Sequence, residues 1–161
     1  APDCGDIDLL ITKPDAEIDH IRTVMMGSVV PKLLKQGFLQ TSLASSSSRD
    51  GSKWHGACTL PDNDEDRITR PWRRIDLLFV PDAEIGAALI YFTGNDIFNR
   101  SMRLLASKKG MRLNQRGLYT DVLRGPQRAK INEGRLLEGH DERRIFDILG
   151  VPWRPPEHRI C

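Results

Sequence analysis

Residues 73–80 read Arg-Arg-Ile-Asp-Leu-Leu-Phe-Val, and residues 5–12 read Gly-Asp-Ile-Asp-Leu-Leu-Ile-Thr. Arg73 to Val80 is a strong predicted strand and Ile7 to Thr12 a second. Side chains alternate along a strand, so Asp6 and Asp8 share one face about 6.5 Å apart and Ile7 points toward a core. Gly5 lets a backbone or a phosphate approach with no Cβ in the way. Two carboxylates so placed can share a pair of cations held about 3.5–4 Å apart, and they repel unless something positive stands between them. Most lone Asp-x-Asp pairs are solvated turns or surface pairs. Asp76 changes that reading, because it interrupts an otherwise apolar strand, and a buried unpaired carboxylate costs several kcal/mol. A salt bridge to Arg73 or Arg74 would satisfy it. So would a metal shared with Asp6 and Asp8. Three acids on two strands of one sheet suit two-metal phosphoryl or nucleotidyl transfer, with one ion activating a hydroxyl and the other holding a triphosphate and its leaving pyrophosphate. Asp76, near the hydroxyl, could also accept its proton. Oxygen-only ligands favour Mg2+ or Mn2+ over Zn2+.

Between these strands, residues from about His20 to Gln36 predict a helix with an apolar stripe of Ile21, Val24, Met25, Val29, Leu33 and Leu34, closed by Gly37. Phe38 to Leu43 and Lys53 to Leu60 are predicted strands joined by a polar hairpin loop over Ser45–Gly51. Its serines lack a Gly-x-Ser-x-Gly context and read as loop. Pro61 to Pro71 is a charged connector. Trp54 and Trp72 read as packing residues. After Val80, helices dominate: Ala83 to Phe92 with Asp82 as its cap, then a helix capped by Asn95 or Asp96 and ending at Gly110, and a last helix Glu142 to Leu149 capped by Asp141. A short strand near Met111–Leu113 and turns at Gly117 and Gly125-Pro126 lie between. The order predicts an α+β fold, a palm-like sheet with a packed helix followed by a mostly helical part with small strands. The boundary falls near Val80-Pro81, giving units 1–80 and 81–161. No internal repeat is present.

The chain has 161 residues, 39% hydrophobic and 29% charged. That is globular composition with enough apolar residues for a sizeable core. No apolar run is long enough to cross a membrane. The start has neither an initiator Met nor a signal-peptide pattern, and the chain is expected to begin inside a larger protein. Cys4, Cys58 and Cys161 have no metal-binding spacing and are odd in number, which argues against a disulfide scaffold and a zinc module and suits a reducing interior, nucleus or cytosol. The four His are scattered and read as structural or surface residues. The net charge of +2 hides an asymmetry. Residues 1–80 carry 10 Lys/Arg against 12 Asp/Glu, and residues 81–161 carry 14 against 10. Within 97–130, nine cations (Arg100, Arg103, Lys108, Lys109, Arg112, Arg116, Arg124, Arg128, Lys130) face the single acid Asp121. Such a surface suits phosphates, with an ordinary solvated basic face as the plain alternative.

Tyr91-Phe92-Thr93-Gly94 places two aromatics at a helix end beside a glycine. They read either as a core-facing terminus or as a platform for a sugar and base. On the next helix Asn99 and Arg103 are i,i+4, and Arg100 and Arg103 are i,i+3, so they share a face able to meet minor-groove acceptors and phosphates. Ile97, Leu104 and Leu105 would supply apolar contacts.

These segments together, Gly5-Asp6-Ile7-Asp8, Arg74-Ile75-Asp76, Tyr91-Phe92-Thr93-Gly94 and Phe98-Asn99-Arg100-Ser101-Met102-Arg103, resemble the family X DNA polymerases in order and spacing. The ending, Ile145 to Gly150 and Trp153 to Glu157, resembles the family's extreme C-terminus. The similarity covers essentially the whole chain. It implies a nucleotidyltransferase-type palm over 1–80, incomplete at its N-terminus, and a thumb over 81–161. It also implies roles: Asp6 and Asp8 bind two Mg2+, for which Mn2+ can substitute, and Asp76 binds the catalytic ion near the primer 3′-hydroxyl. Tyr91, Phe92 and Gly94 contact the incoming nucleotide, and Asn99 touches its base. Arg100 lies against the templating base, Arg103 contacts the template strand, and Arg74 lies close to the primer end.

The implied activity is templated, DNA-directed addition of a dNTP to a primer 3′-hydroxyl with release of pyrophosphate. Short-gap filling in base excision repair or end joining is expected, by a nuclear monomer with repair partners reached through upstream domains and with no membrane partner. The family's Gly-Ser triphosphate motif, helix-hairpin-helix segments and lyase domain are expected upstream of this sequence, so the isolated chain is expected to bind metal and DNA weakly and to catalyse poorly. Gln115 and Arg116 stand where members carry an acid followed by a ring-bearing residue, which alters template contacts there. The Tyr91-Phe92 pair differs from the Gly-Trp of the terminal-transferase branch, and the Ser45–Gly51 loop lacks that branch's insertion. Rival readings are a template-independent or other nucleotidyltransferase, acting on RNA or a small molecule, and a non-catalytic DNA-binding module whose acids serve only as salt-bridge partners.

Overall fold

Residues 5–43, 51–60, 70–123, 125–126 and 131–159 are described by the structure, a computed structural model. The chain divides into two compact units, Ala1–Pro81 and Asp82–Cys161. The Ser45–Gly51 loop, apart from Gly51, and residues 61–69 of the connector lie outside the described residues, as do Cys4, Cys161, Arg124, Arg128 and Lys130.

In the first unit, β1 (Asp6–Ile11) is followed by α1 (Ile18–Val24), a π-helical segment (Met25–Val29) and α2 (Val30–Lys35), then β2 (Leu39–Ser42), β3 (Lys53–Cys58) and β4 (Arg73–Phe79). The strands form a four-stranded sheet in the order β1-β4-β3-β2. β1 runs parallel to β4, and the other pairs are antiparallel. The helical stretch starts two residues before the predicted His20 and widens where the sequence pattern gives no sign of it. Val30 N donates to Met25 O, five residues back, immediately before Pro31. A proline offers no N–H and its ring crowds the preceding turn, so a widened turn beside it accommodates the ring. Gly37, with φ +74°, closes the stretch: Phe38 N donates to Leu33 O and Gly37 N to Leu34 O, a Schellman ending.

The core of this unit joins Ile75, Leu77 and Phe79 of β4 to Ile21, Met25, Val30, Leu39, Trp54 and Cys58. Ile7 and Ile11 of β1 pack against it. Gly56 is required there: a Cβ would fall within the Trp54 ring and 2.5 Å from Thr41 O. Burial pushes the Cys58 thiol pKa up, as suits an inert core residue. Trp54 is buried as expected, but Trp72 is 59% exposed and does not pack.

In the second unit, α3 (Ile85–Thr93), α4 (Asp96–Lys108) and α5 (Glu142–Leu149) accompany a three-stranded antiparallel sheet, β5 (Arg112–Asn114), β6 (Gly117–Thr120) and β7 (Arg135–Glu138). α3 starts later than predicted and is not capped by Asp82. Residues Asp82–Glu84 form a 3-10 turn, and Glu84 at the N-cap position makes no side-chain cap bond. Asn95 caps α4 by accepting from Phe98 N at 2.9 Å, and Asp141 caps α5 by accepting from Arg143 N and Arg144 N. Gly117 is not a turn residue. It opens β6, where a Cβ would come within 2.5 Å of Leu136 Cδ1, so the glycine admits β7 and the turn itself is Gln115–Arg116.

The core here is Ala87, Ile90, Phe98, Met102, Ala106, Leu113, Leu118, Ile145, Phe146 and Leu149. The inward face of α4 is thus Phe98-Met102-Ala106, with Leu105 packed beside it. Ile97 and Leu104 are 54% and 57% exposed.

Candidate active site and nucleic-acid interface

Pairing brings the acids of the first unit together. Asp6 is the register partner of Arg74, and Asp8 the partner of Asp76, across β1 and β4. His55 of β3 is the partner of the same Asp76. Directly opposed residues share a sheet face, so Asp8, Asp76 and His55 form one row and Asp6 and Arg74 lie in the row beside it. The opposite face carries Ile75, Leu77 and Phe79 into the core. Asp76 is 6% exposed, whereas Asp8 is exposed and Asp6 half-buried.

A cation stands among these carboxylates. Arg74 Nη2 lies 2.6 Å from Asp6 Oδ2 and 3.4 Å from Asp76 Oδ2. Arg74 is thus the salt-bridge partner that the strand reading asked for, while Arg73 is exposed on the other side of the alternation. His55 Nδ1 lies 2.8 Å from Asp76 Oδ1, off the line of a hydrogen bond, and that buried oxygen has no hydrogen-bond partner among the described residues. His55 is the residue that sequence reasoning passed over. Only the β3–β4 register, which is not written in local sequence, sets it beside Asp76.

Among the described residues, no three His, Cys, Asp or Glu side chains converge as they stand into a group that would hold an ion. The donor set nevertheless suits a hard divalent cation chemically. It consists of carboxylate oxygens on one face, one of them buried and without a hydrogen bond among the described residues, in a place already occupied by a positive charge.

The second unit assembles the other candidates around the end of α3. Tyr91 and Phe92 are 38% and 40% exposed, so they form an accessible pair and not a core-facing terminus. Their rings meet edge to face with centroids 4.9 Å apart. Gly94 adopts φ +69°, a backbone conformation that favours glycine. Asn99 Nδ2 donates to Tyr91 O at 2.7 Å, tying α4 to the aromatic end of α3. The Arg103 guanidinium lies 5.9 Å from the Tyr91 ring centroid, and its Nε donates to Leu113 O. Tyr91, Asn99 and Arg103 therefore line one slot with Asn114. Arg100 stands apart, 77% exposed and paired with Asp96 at 2.8 Å.

The C-terminal end braces this corner. Arg159, fully buried, donates from Nη1 to Thr93 Oγ1 and from Nε to Arg154 O, and pairs with Glu142 at 2.7 Å. Its guanidinium lies against the rings of Phe98, Phe146 and Trp153. Asn95 N donates to Arg159 O, so the turn between α3 and α4 is held from both main chain and side chain.

Residues 1–82 match the family model of the DNA polymerase beta palm, and residues 88–160 that of the DNA polymerase beta thumb. A DNA polymerase lambda of Rattus norvegicus is 38% identical over 157 residues, covering 97% of this chain and 26% of the relative. One of Arabidopsis thaliana is 32% identical, covering 97% of this chain and 29% of the relative. DNA polymerase IV of Saccharomyces cerevisiae is 38% identical over 54% of this chain and 13% of its own length. The chain thus spans little more than a quarter of the first two relatives. With both of its units accounted for by the two models, the chain belongs to family X, the DNA polymerase beta family, and comprises its palm and thumb parts.

Proposed function

We propose that this chain is the palm and thumb part of a templated repair DNA polymerase that joins a dNTP to a primer 3′-hydroxyl and releases pyrophosphate. The observation that carries this reading is the shared sheet face of Asp6, Asp8 and Asp76, with Asp8 and Asp76 opposed in register. These three residues would hold two Mg2+, or Mn2+ in their place. Bound there, such ions lower the pKa of the attacking hydroxyl and neutralise the triphosphate and departing pyrophosphate.

The remaining work falls to the chain's own side chains. Asp76, set beside the hydroxyl, accepts its proton. Arg74 releases Asp6 and Asp76 and turns its guanidinium toward the primer end. In the thumb, Tyr91 and Phe92 present their exposed rings to the sugar, and the Gly94 backbone allows close approach. Asn99 spends one amide N–H on Tyr91 O and keeps a second N–H and its carbonyl oxygen for a base edge. Arg100 and Arg103 face the template strand. Gapped DNA and dNTPs are the substrates, the nucleus the location and base excision repair or end joining the setting. The working form is a monomer that reaches repair proteins through segments outside this chain.

The test is extension of a primer across a one-nucleotide gap by the full-length protein, with Mg2+ and each dNTP in turn, beside an Asp76→Ala control. Extension by the complementary dNTP alone, lost in the control, is the expected result. Addition of any dNTP would make the enzyme a template-independent transferase. Intact DNA binding with no extension would make the chain a non-catalytic DNA-binding module.

A further inference from the structure

β4 lies between β1 and β3, so Asp76 has a register partner on either side, Asp8 on one and His55 on the other. Its two carboxylate oxygens are divided in the same way. Oδ2 lies 3.4 Å from Arg74 Nη2, and Oδ1 lies 2.8 Å from His55 Nδ1. When Arg74 turns to the primer end, Oδ2 is freed and Oδ1 keeps its neighbour on β3. The terminal torsion of an aspartate is broad. The oxygen offered to a reacting hydroxyl is therefore fixed only if the other oxygen is held.

The strand that carries His55 is pinned. His55 O accepts from Leu43 N at 3.1 Å and from Ser42 Oγ at 3.4 Å. The next residue, Gly56, has no room for a Cβ between the Trp54 ring and Thr41 O. The imidazole thus moves only about its own side-chain bonds, and at 21% exposure it has room to turn. Nδ1 stands within hydrogen-bond range of Oδ1 but off its line, and the buried Oδ1 has no hydrogen-bond partner among the described residues. A buried acceptor left unmatched is costly, and a turn of the ring matches it. Nδ1 bears a proton both in the cation and in the neutral tautomer that a neighbouring carboxylate selects. The contact therefore does not depend on the charge of the ring.

We propose that His55 is a positioning residue for the transfer. By donating from Nδ1 to Asp76 Oδ1 it fixes the plane of that carboxylate and presents Oδ2 to the catalytic ion and the primer hydroxyl. The role requires no contact of His55 with substrate or ion. It rests on the polymerase reading above and adds to it a residue on β3.

The test compares wild type, His55→Asn and His55→Gln in the full-length protein. The Asn amide nitrogen takes the place of Nδ1, whereas the Gln amide nitrogen lies one carbon farther out, in the place of Nε2. Loss of a group that orients a metal-binding carboxylate costs about ten- to a hundred-fold in activity or metal affinity. His55→Gln is expected to slow single-turnover extension across a one-nucleotide gap by about ten-fold or more, with dNTP half-saturation, DNA affinity and Tm near wild type. His55→Asn is expected to recover most of that loss. Mn2+ titration without DNA or dNTP, followed by electron spin resonance, is expected to show the same order, with affinity weakened about ten-fold in His55→Gln and close to wild type in His55→Asn. A wild-type rate in His55→Gln would overturn the positioning role. So would an equal loss in both variants, which would make the packing of the ring the cause. Mn2+ affinity equal in all three proteins, or tighter in His55→Gln, would overturn it as well. Asp76→Ala separates this outcome from the polymerase reading. Extension that survives Asp76→Ala would sink that reading, whereas extension lost in Asp76→Ala and unchanged in His55→Gln would remove His55 alone.

Discussion

Arg74 and Asp6 are register partners on adjacent parallel strands, and their side chains meet at 2.6 Å. The same guanidinium lies 3.4 Å from Asp76. It therefore supplies the positive charge without which these carboxylates would repel one another. A divalent cation must compete with it for the same oxygens. Arg74→Ala is expected to tighten Mn2+ binding roughly two- to five-fold, the range of a partly exposed ion pair, while slowing primer extension. Titration of Mn2+ followed by its electron spin resonance signal reads the first effect and single-turnover extension the second. Weaker Mn2+ binding in the variant would mean that Arg74 supports the ion site instead of competing for it.

Arg159 is buried against three aromatic rings with Glu142 as its charged partner. Removing one member of a buried pair strands the other, at about 3–5 kcal/mol. Arg159→Met is expected to lower the unfolding free energy of the second unit by that amount, seen as a fall in Tm. It should also raise KM for dNTP, because Thr93 and Asn95 lose their brace. A Tm within a degree of wild type would refute the assignment.

Asn95 accepts from Phe98 N and starts the helix that carries Asn99 and Arg103. Asn95→Ala is expected to cost about 1 kcal/mol, whereas Asn95→Asp keeps the acceptor and should stay close to wild type. Denaturant unfolding of both variants provides the check.

The turn from β7 into α5 is built on a carboxylate. Burial raises the Glu138 pKa, but the main-chain N–H groups of Asp141, His140 and Gly139, all donating to Oε1, outweigh it and leave it below the usual carboxylate value. A depressed folded-state pKa contributes stability above the unfolded-state value that is lost as pH falls through the folded one. His140 has the opposite sign. The Asp82 main-chain oxygen and the Asp82 charge raise its pKa, so its contribution is complete at low pH and is lost as pH rises through the raised value. Tm against pH is expected to fall on the acid side of the carboxylate range. Glu138→Gln, which retains an acceptor oxygen, should flatten that limb only, and His140→Gln only the limb near and above neutrality. An acid limb unchanged in Glu138→Gln would place that dependence elsewhere.

The sequence and the structure agree where a local rule decides the outcome. Strand alternation put Asp6 and Asp8 on one face and Ile7 on the other, and the caps at Asn95 and Asp141 follow from side chains that compete for helix N–H groups. Pairing does not follow from such rules. That Asp8 opposes Asp76, and that His55 opposes it from the other side, depends on which strands become neighbours. Gly117 was misread because a glycine can mark either a turn or a close approach, and here Leu136 of β7 decides. Trp72 reads as a packing residue from its place beside the strand, yet it is exposed. Leu104 lies outside the Phe98-Met102-Ala106 stripe that α4 turns inward. Pro31 is accommodated by a π segment, and the expected apolar stripe is only partly turned inward: Ile21 and Met25 are buried, whereas Val24 and Leu34 are exposed.

The central claim is that Asp6, Asp8 and Asp76 act together in a metal-dependent transfer, and Asp8 tests it most directly. It is exposed and makes none of the ion pairs found for Asp6 and Asp76, so its loss should leave the fold unharmed. The measurement is the Mg2+-dependent rate of pyrophosphate release by the full-length protein on gapped DNA, wild type against Asp8→Asn, with Tm and DNA affinity recorded for both. A metal-bound transition state is stabilised by several kcal/mol, so the account expects the rate to fall by about a thousand-fold with Tm and DNA affinity unchanged. A rate near wild type in Asp8→Asn, or a wild-type rate indifferent to Mg2+, would contradict it.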